Sequence, residues 1–341
     1  MAKANPGVSV VIVTRDGALR LPPTLDHLIK QEVDPVIPWE VIVVDNASKD
    51  KTKEVVRIVW TSSIPLRIID EPAQGVAFVR KRGIEEAKYE FILFVDDDNW
   101  LAPEWIRKIF SVFLEHPDIG MTGGFNTGVF ETPVPGWIVP LLSDFAIGPQ
   151  GDVSGDITDS RGYVWGAGMA FRKSVYIHLR KCGFIPLLAG RKAGKLTPGE
   201  DAELSFLFKA AGFRIWYFSD LQLQHYIPTQ RMSWEYCIRL YKGFGESTFI
   251  LDLYNLALKD SKWPYCRICF KAIKEFIYTV VILLLHLFEP EKVRKYLLLF
   301  IATKAKLAIV IKNISGYRAY YSHIRRLLQN LKAQPVKQDH T

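Results

Sequence analysis

The run Phe91-Ile92-Leu93-Phe94-Val95-Asp96-Asp97-Asp98-Asn99 puts three carboxylates directly behind five apolar residues. The apolar part has the character of a strand buried on both faces, so the acids stand at its C-terminal end, where open α/β sheets bind ligands. Adjacent carboxylates repel and raise one another's pKa values. A divalent cation taking oxygen ligands, Mg²⁺ or Mn²⁺, would relieve that repulsion and hold a substrate phosphate in its remaining positions. The plainer use of the same acids is a turn that caps the helix beginning near Pro103.

Other residues have chemical potential of the same kind. Val43-Val44-Asp45-Asn46 ends a second apolar run, and Asp45 could accept hydrogen bonds from a base or ribose, or cap the helix that follows. Gln74-Gly75-Val76-Ala77-Phe78-Val79-Arg80-Lys81 places Gly75 at a helix start and Arg80 one turn in. Backbone N–H groups and a guanidinium there can hold a phosphate or a base carbonyl, or simply form a basic surface. Gly199-Glu200-Asp201 opens another helix with two acids that the dipole stabilises in their charged form. They serve as caps, or one of them takes a proton from a sugar hydroxyl as general base. His225 follows the last strand and is either a metal ligand or a structural imidazole.

Strands and helices alternate in a way that would carry these groups to one edge. Strands are expected at Ser9–Thr14, Glu40–Asn46, Leu66–Asp70, Glu90–Val95 and Ile119–Gly123. Helices are expected between them at Pro22–Gln31, Asp50–Trp60, Val76–Ala87 and Pro103–Glu115. That order implies a mostly parallel sheet with right-handed crossovers. Beyond it come Gly-, Pro- and Asp-rich loops from Asn126 to Gly162, with a short apolar element near Trp137–Phe145. A strand at Tyr163–Arg172, a Gly- and Lys-rich loop at Gly190–Lys195, a helix at Pro198–Gly212, a strand at Arg214–Phe218 and a helix at Ser233–Leu253 complete the pattern.

At 341 residues the chain has room for one large α/β domain and an appendage. From Asn255 onward there are 16 Lys and Arg against 5 Asp and Glu, which leaves the first 254 residues slightly acidic. The basic tail is interleaved with the apolar runs Phe276–Phe288 and Tyr296–Ile311. The first is 13 residues long, short of the roughly 17–25 that a spanning helix needs, and Lys304 and Lys306 interrupt the second. Helices lying in an anionic membrane interface, lysines at headgroup level, fit this better than nucleic-acid binding; core helices packed on the sheet are the alternative. The four cysteines make no disulfide framework for a chain of this length, and the Cys266/Cys269 pair has no second pair beside it to form a zinc site. A reducing, cytosolic setting is expected. Met1–Gly7 is polar and Val8–Val13 is too short for a leader's apolar segment, so no signal peptide is expected.

Taken in order, Val13-Thr14, VDNAS, GVAFVRKRG, FILFVDDDN, GAGMAF and GED resemble family 2 glycosyltransferases with the GT-A fold, over about residues 8–226. The resemblance implies a Rossmann-like, mostly parallel sheet flanked by helices. It divides the chain into a catalytic domain over 1–230, helices on the acceptor side over 231–262, and a basic, apolar helical appendage over 263–341. It implies inverting transfer of a sugar from a nucleotide diphosphate sugar, a UDP-sugar by family habit, to a hydroxyl of a glycan or lipid-linked acceptor, with Mn²⁺ or Mg²⁺ as cofactor. Thr14 and Arg15 would line the nucleotide pocket, Asp45 would meet the base or ribose, and Arg80 the base and phosphates. Asp96 and Asp97 would face the ribose and donor sugar. Asp98 would bind the metal, with His225 reaching the metal or diphosphate. Gly166, Ala167 and Gly168 would line the donor-sugar and acceptor cleft, and Asp201 would be the base with Glu200 beside it.

Two departures stand out. Thr14-Arg15-Asp16-Gly17 differs from the family's usual first motif, an aromatic or Arg followed by Asn, which leaves the role of Asp16 open but not the fold. Thr229-Gln230-Arg231-Met232-Ser233-Trp234 is similar in part to the QxxRW signature of processive synthases, with different spacing, so one sugar per acceptor is expected. Cell-surface polysaccharide or glycoconjugate synthesis at the cytoplasmic face of a membrane, with peripheral or monotopic attachment, follows from the resemblance and the tail together. The competing readings are a sugar-nucleotide pyrophosphorylase, for which Thr14–Leu21 makes a poor phosphate loop, and a membrane-attached nucleotide-sugar-binding scaffold, which has no need of both Asp98 and Asp201. A dinucleotide oxidoreductase is set aside because no GxGxxG follows the first strand.

Overall fold

The computed structural model describes residues 5–188, 190–192 and 195–336. Ala193 and Gly194 of the expected Gly190–Lys195 loop lie outside them, as do the outermost residues of the first and last expected domains, 1–4 and 337–341. A nine-stranded sheet forms the centre. Strands β1 (Val8–Thr14), β2 (Trp39–Asp45), β3 (Leu66–Asp70) and β4 (Phe91–Asp96) pair in parallel in the order β3-β2-β1-β4. The long strands β6 (Ile119–Phe130) and β11 (Arg214–Ile227) run parallel to each other and join this block through β8 (Ala170–Arg172), antiparallel to both β4 and β6. The short strands β5 (Asn99–Leu101) and β7 (Gly155–Asp156) pair with β11.

The parallel block is apolar on both faces because both are covered. Val11, Ile42 and Val44 face α3 (Val76–Glu86), α5 (Lys173–Lys181) and α6 (Glu200–Ala210). Val10, Ile12, Val41 and Val43 face α1 (Leu21–Ile29), α2 (Thr52–Val59) and α4 (Trp105–Glu115). Period-two alternation of apolar side chains thus fills two cores from one set of strands.

The structure departs from expectation in the second half. Only Ala170–Arg172 of the expected Tyr163–Arg172 strand pairs, because Gly168 adopts φ +74° and turns the chain beforehand. The strand at Arg214 continues to Ile227 past an irregular step near Phe218, which carries His225 to the functional edge. A hairpin of β9 (Gly190–Lys192) and β10 (Lys195–Thr197) precedes α6.

The tail forms four helices, α7 (Trp234–Leu258), α8 (Pro264–Leu285), α9 (Pro290–Lys312) and α10 (Tyr317–Ala333). Ile268, Ala272, Val310, Tyr321 and Ile324 join the same apolar core as one face of the sheet. Helix α7 is the mount: a Cβ on Gly243 would sit 1.9 Å from the Leu196 carbonyl oxygen, and one on Gly245 would sit 2.0 Å from that of Ala302. Only glycine permits both approaches. Lys306 was expected at headgroup level, and here the structure corrects the sequence reading. It is buried, with Nζ 2.7 Å from Asp252 and 2.6 Å from Glu275, because a cation on the inner face of α9 is tolerated only when acids from α7 and α8 surround it.

Candidate active site

The parallel register brings the expected residues to one level. Thr14 lies beside Asp45, and Val13 beside Asp96. Each of the three adjacent acids is met there by its own arginine. Asp96 Oδ1 lies 3.7 Å from Arg80 Nη2, Asp97 is gripped by Arg20 through Nε at 2.9 Å and Nη2 at 2.8 Å, and Asp98 Oδ2 lies 2.9 Å from Arg231 Nη2. Guanidinium groups from three separate segments offset part of the repulsion expected of the acid run, although burial and the Asp98 charge still push the Asp97 carboxyl upward.

Arg80 is the hub of the first group. It lies over the Phe94 ring at 4.9 Å and donates to Glu200 Oε1 at 3.3 Å. A Cβ on Gly166 would stand 2.5 Å from its Nη2, so glycine is what lets the guanidinium pass. The Gly166 N–H in turn donates to Asp201 Oδ2 at 3.1 Å, and Asp201 Oδ1 accepts from the Ala202 N–H at 2.8 Å. Asp96, Arg80, Gly166, Glu200 and Asp201 thus come together although 105 positions separate Asp96 from Asp201. Burial pushes the carboxyls of Glu200 and Asp201 upward, against both the Arg80 charge and the helix dipole. A carboxylate poised upward is better matched to a base's task near neutral pH.

The second group is Asp98, His225 and Arg231. Asp98 Oδ1 lies 3.6 Å from His225 Nε2 and accepts from Asn99 Nδ2 at 3.1 Å, and Arg231 Nη1 lies 3.4 Å from the same imidazole nitrogen. Asp98 and His225 offer an oxygen and an imidazole nitrogen side by side, a donor pair that suits Mn²⁺. Among the described residues no three His, Cys, Asp or Glu converge on one metal position. Asp98 and His225 would hold a cation only as a pair of ligands, its remaining positions being filled from outside the protein.

The remaining expected residues do other things. Asp97, expected to face ribose and sugar, is turned inward, where Thr14 Oγ1 donates to it at 2.7 Å beside the Arg20 fork. Asp45 is buried, accepts from Ser48 Oγ, and lies 3.5 Å from Lys53 Nζ. Arg15 is exposed on the loop after β1, near Asp16. Ala167 is buried, and Gly168 is packed against Trp105 and Leu223, where a Cβ would approach within 2.8 and 2.9 Å. Asp16 now has a role: at φ +48° it receives the Lys49 N–H at 2.7 Å and gives its own N–H to Ser48 Oγ at 2.9 Å, tying the loop after β1 to the loop after β2. Aspartate tolerates that left-handed conformation. Arg20 and Arg231 are the site residues that sequence reasoning missed. Arg231 had a signal in the partial QxxRW match, whereas Arg20 had none, since an arginine opening a helix is unremarkable in sequence.

The description "Glycosyl transferase family 2" matches residues 9–180, half of the chain. The chain belongs to that family. As a family 2 member with a GT-A-like α/β sheet it is a glycosyltransferase, which sets aside the pyrophosphorylase and scaffold readings. It is 22% identical over 253 residues to the glucosyl-dolichyl phosphate glucuronosyltransferase of Haloferax volcanii, covering 72% of this chain and 76% of that one. It is 26% identical to the putative glycosyltransferase EpsH of Bacillus subtilis over 34% of this chain and only 33% of that protein. Among solved structures, S. aureus TarS 1–349 in complex with UDP-GlcNAc superposes with a TM-score of 0.51 at 19% identity, covering 70% of this chain and 66% of that one. That likeness is one of fold.

Proposed function

We propose that this family 2 enzyme transfers a sugar from a UDP-sugar to a hydroxyl of a glycan or lipid-linked acceptor, with inversion and with Mn²⁺ or Mg²⁺ bound. The setting is cell-surface polysaccharide or glycoconjugate synthesis at the cytoplasmic face of a membrane. The observation that carries the reading is the meeting of two groups at one sheet edge: a half-buried carboxylate pair, Glu200–Asp201, and an Asp98–His225–Arg231 cluster able to receive a diphosphate. Asp201 takes the proton of the acceptor hydroxyl, whose oxygen attacks the anomeric carbon on the side opposite the diphosphate. The bond from that carbon to the diphosphate oxygen breaks, and the oxygen keeps the electron pair. Arg231 and Arg80 would meet the charge that grows on the leaving group. A cation held by Asp98 and His225 would neutralise more of it.

The choice of a uridine donor draws on the family resemblance and on the UDP-GlcNAc bound to a protein of the same fold. The polysaccharide setting draws on relatives such as the Escherichia coli chondroitin synthase, 29% identical over 34% of this chain. The test is a screen of UDP-, GDP- and dTDP-sugars with Mn²⁺ or Mg²⁺, following nucleoside diphosphate release and donor affinity. Preferential use of UDP-sugars supports the reading. Turnover with GDP- or dTDP-sugars alone overturns the donor, and failure to bind any sugar nucleotide overturns the whole proposal.

A further inference from the structure

Helix α8 has one covered face and one bare one. Ile268, Ala272 and Thr279 are buried against the rest of the tail. On the opposite side Trp263, Phe270, Ile277, Val281, Leu284 and Phe288 are 71, 72, 56, 48, 64 and 93% exposed. The spacings of seven, four and three residues place Phe270, Ile277, Val281 and Leu284 on one stripe of a helix with 3.6 residues per turn, and Trp263 and Phe288 flank its two ends. Within the 22-residue helix the stripe from Phe270 to Leu284 spans about 21 Å. A patch of this extent on a soluble surface marks a partner, because scattered apolar residues do not line up in this way.

The charges decide what that partner is. Arg267 and Lys274 are exposed along the stripe, and Lys262 stands before it. The only acid of α8, Glu275, is drawn inward to Lys306 at 2.6 Å. Two copies of this chain meeting through the stripe would bring cationic rims together with no acid on α8 to offset them. An anionic lipid surface offers acyl chains to the stripe and phosphates to the rim. No helix among the described residues is long and apolar enough to cross a membrane. We propose that α8 lies in the plane of an anionic bilayer, its Phe270–Leu284 stripe sunk to the acyl boundary and Arg267 and Lys274 at the headgroups. This deepens the membrane setting proposed above by naming the surface responsible, and it stands apart from the transfer chemistry.

The test is flotation of the full chain with vesicles of phosphatidylcholine containing about 30% phosphatidylglycerol, beside pure phosphatidylcholine vesicles. The chain should float with the anionic vesicles and be partly released by about 0.5 M salt. Phe270→Ser, Ile277→Ser and Leu284→Ser together should lower the partition coefficient about a hundredfold or more, because three large side chains leave the interface. UDP affinity, read by calorimetry, should be unchanged in that variant and shows that it folds. Failure of the full chain to float with either vesicle, or equal flotation of the triple variant, overturns the proposal. So does a wild-type dimer that the triple substitution converts to monomer with no change in flotation. Loss of sugar-nucleotide binding in a chain that still floats would overturn the proposed function and leave this surface standing.

Discussion

Asp201→Asn separates catalysis from structure at a single atom. The side chain accepts one hydrogen bond on each oxygen, from the Gly166 N–H at 3.1 Å and from the Ala202 N–H at 2.8 Å. An amide can accept only one of these, so whichever way it turns, its NH₂ faces another N–H. Losing one such bond at a half-buried position costs about 1 kcal/mol, small beside the roughly 5–15 kcal/mol that hold a domain together. The fold should survive with a modest drop in denaturation midpoint. The loss in turnover should be much larger, about 10²–10⁴-fold for a missing general base, equivalent to about 3–5 kcal/mol in the barrier. The assay is nucleoside diphosphate release with a soluble acceptor, beside calorimetric titration with UDP and a urea melt. In the native enzyme turnover should fall as pH drops through the Asp201 pKa, which burial has pushed above the ordinary 3.8, and the variant should lack that limb. Turnover within tenfold of native would refute the assignment. A loss of UDP affinity as severe as the loss of turnover would make Asp201 a donor ligand. Glu200→Gln, which weakens the 3.3 Å contact to Arg80, should show the smaller loss of turnover. If it is inactive while Asp201→Asn is active, the base is Glu200.

Asp98→Ala should remove most transfer activity and the stimulation by Mn²⁺ and, by leaving the largely buried Arg231 without its partner, lower the thermal midpoint while the transition stays cooperative; activity that persists both in this variant and in EDTA would dismiss the metal role. Arg231→Ala should free Asp98 for the cation and so raise Mn²⁺ affinity in the absence of nucleotide while lowering UDP affinity, as read by calorimetry; parallel loss of both would contradict the exchange argued for this pair. Glu203 is buried with the Leu187 and Leu188 N–H groups and the Tyr254 hydroxyl, and burial pushes its carboxyl from 4.5 to about 7. Its folded pKa is the higher one, so its contribution is complete below pH 4.5 and is lost as pH rises to 7, about 3 kcal/mol in all. Glu203→Gln should flatten that part of the stability–pH curve in urea melts, and an unchanged curve would refute the shift.

The parallel block was legible because its signal is local. Val8–Thr14, Leu66–Asp70 and Phe91–Asp96 are apolar runs closed by polar residues, and the structure ends them within a residue or two of the expected positions. Lost were features decided by distant partners. Ile119–Phe130 and Arg214–Ile227 extend well past their apolar segments because each completes the other's ladder. The pairing of Asp97 with Arg20 could not be seen, since nothing local distinguishes an arginine that reaches 77 positions along the chain from one that stays in solvent. Likewise Lys306 interrupts an apolar run in sequence and only in the folded helices finds Asp252 and Glu275.

The arginines change the argument for a cation at this site. Three adjacent acids alone would call for a divalent ion, yet Asp96, Asp97 and Asp98 each have an arginine beside them, Arg80, Arg20 and Arg231, although Arg80 is shared with the nearer Glu200. Two of those pairs are of different kinds. The Arg20–Asp97 fork is closed by Thr14 and belongs to the scaffold that fixes the loop after β1. The Arg231–Asp98 contact lies against His225, and both of its members have a use elsewhere: the guanidinium suits a phosphate, and the carboxylate with the imidazole suits a cation. Binding a cation alone would strand Arg231 beside a like charge, and binding a diphosphate alone would strand Asp98 beside it. Bound together, the cation would be held by Asp98 and His225 and the diphosphate would meet Arg231, leaving neither charge uncompensated. Under the proposed function, the Asp98–His225–Arg231 geometry would suit a cation and a diphosphate arriving as a pair, and the Mn²⁺ and UDP affinities of Arg231→Ala test that coupling more directly than the number of acids in the run.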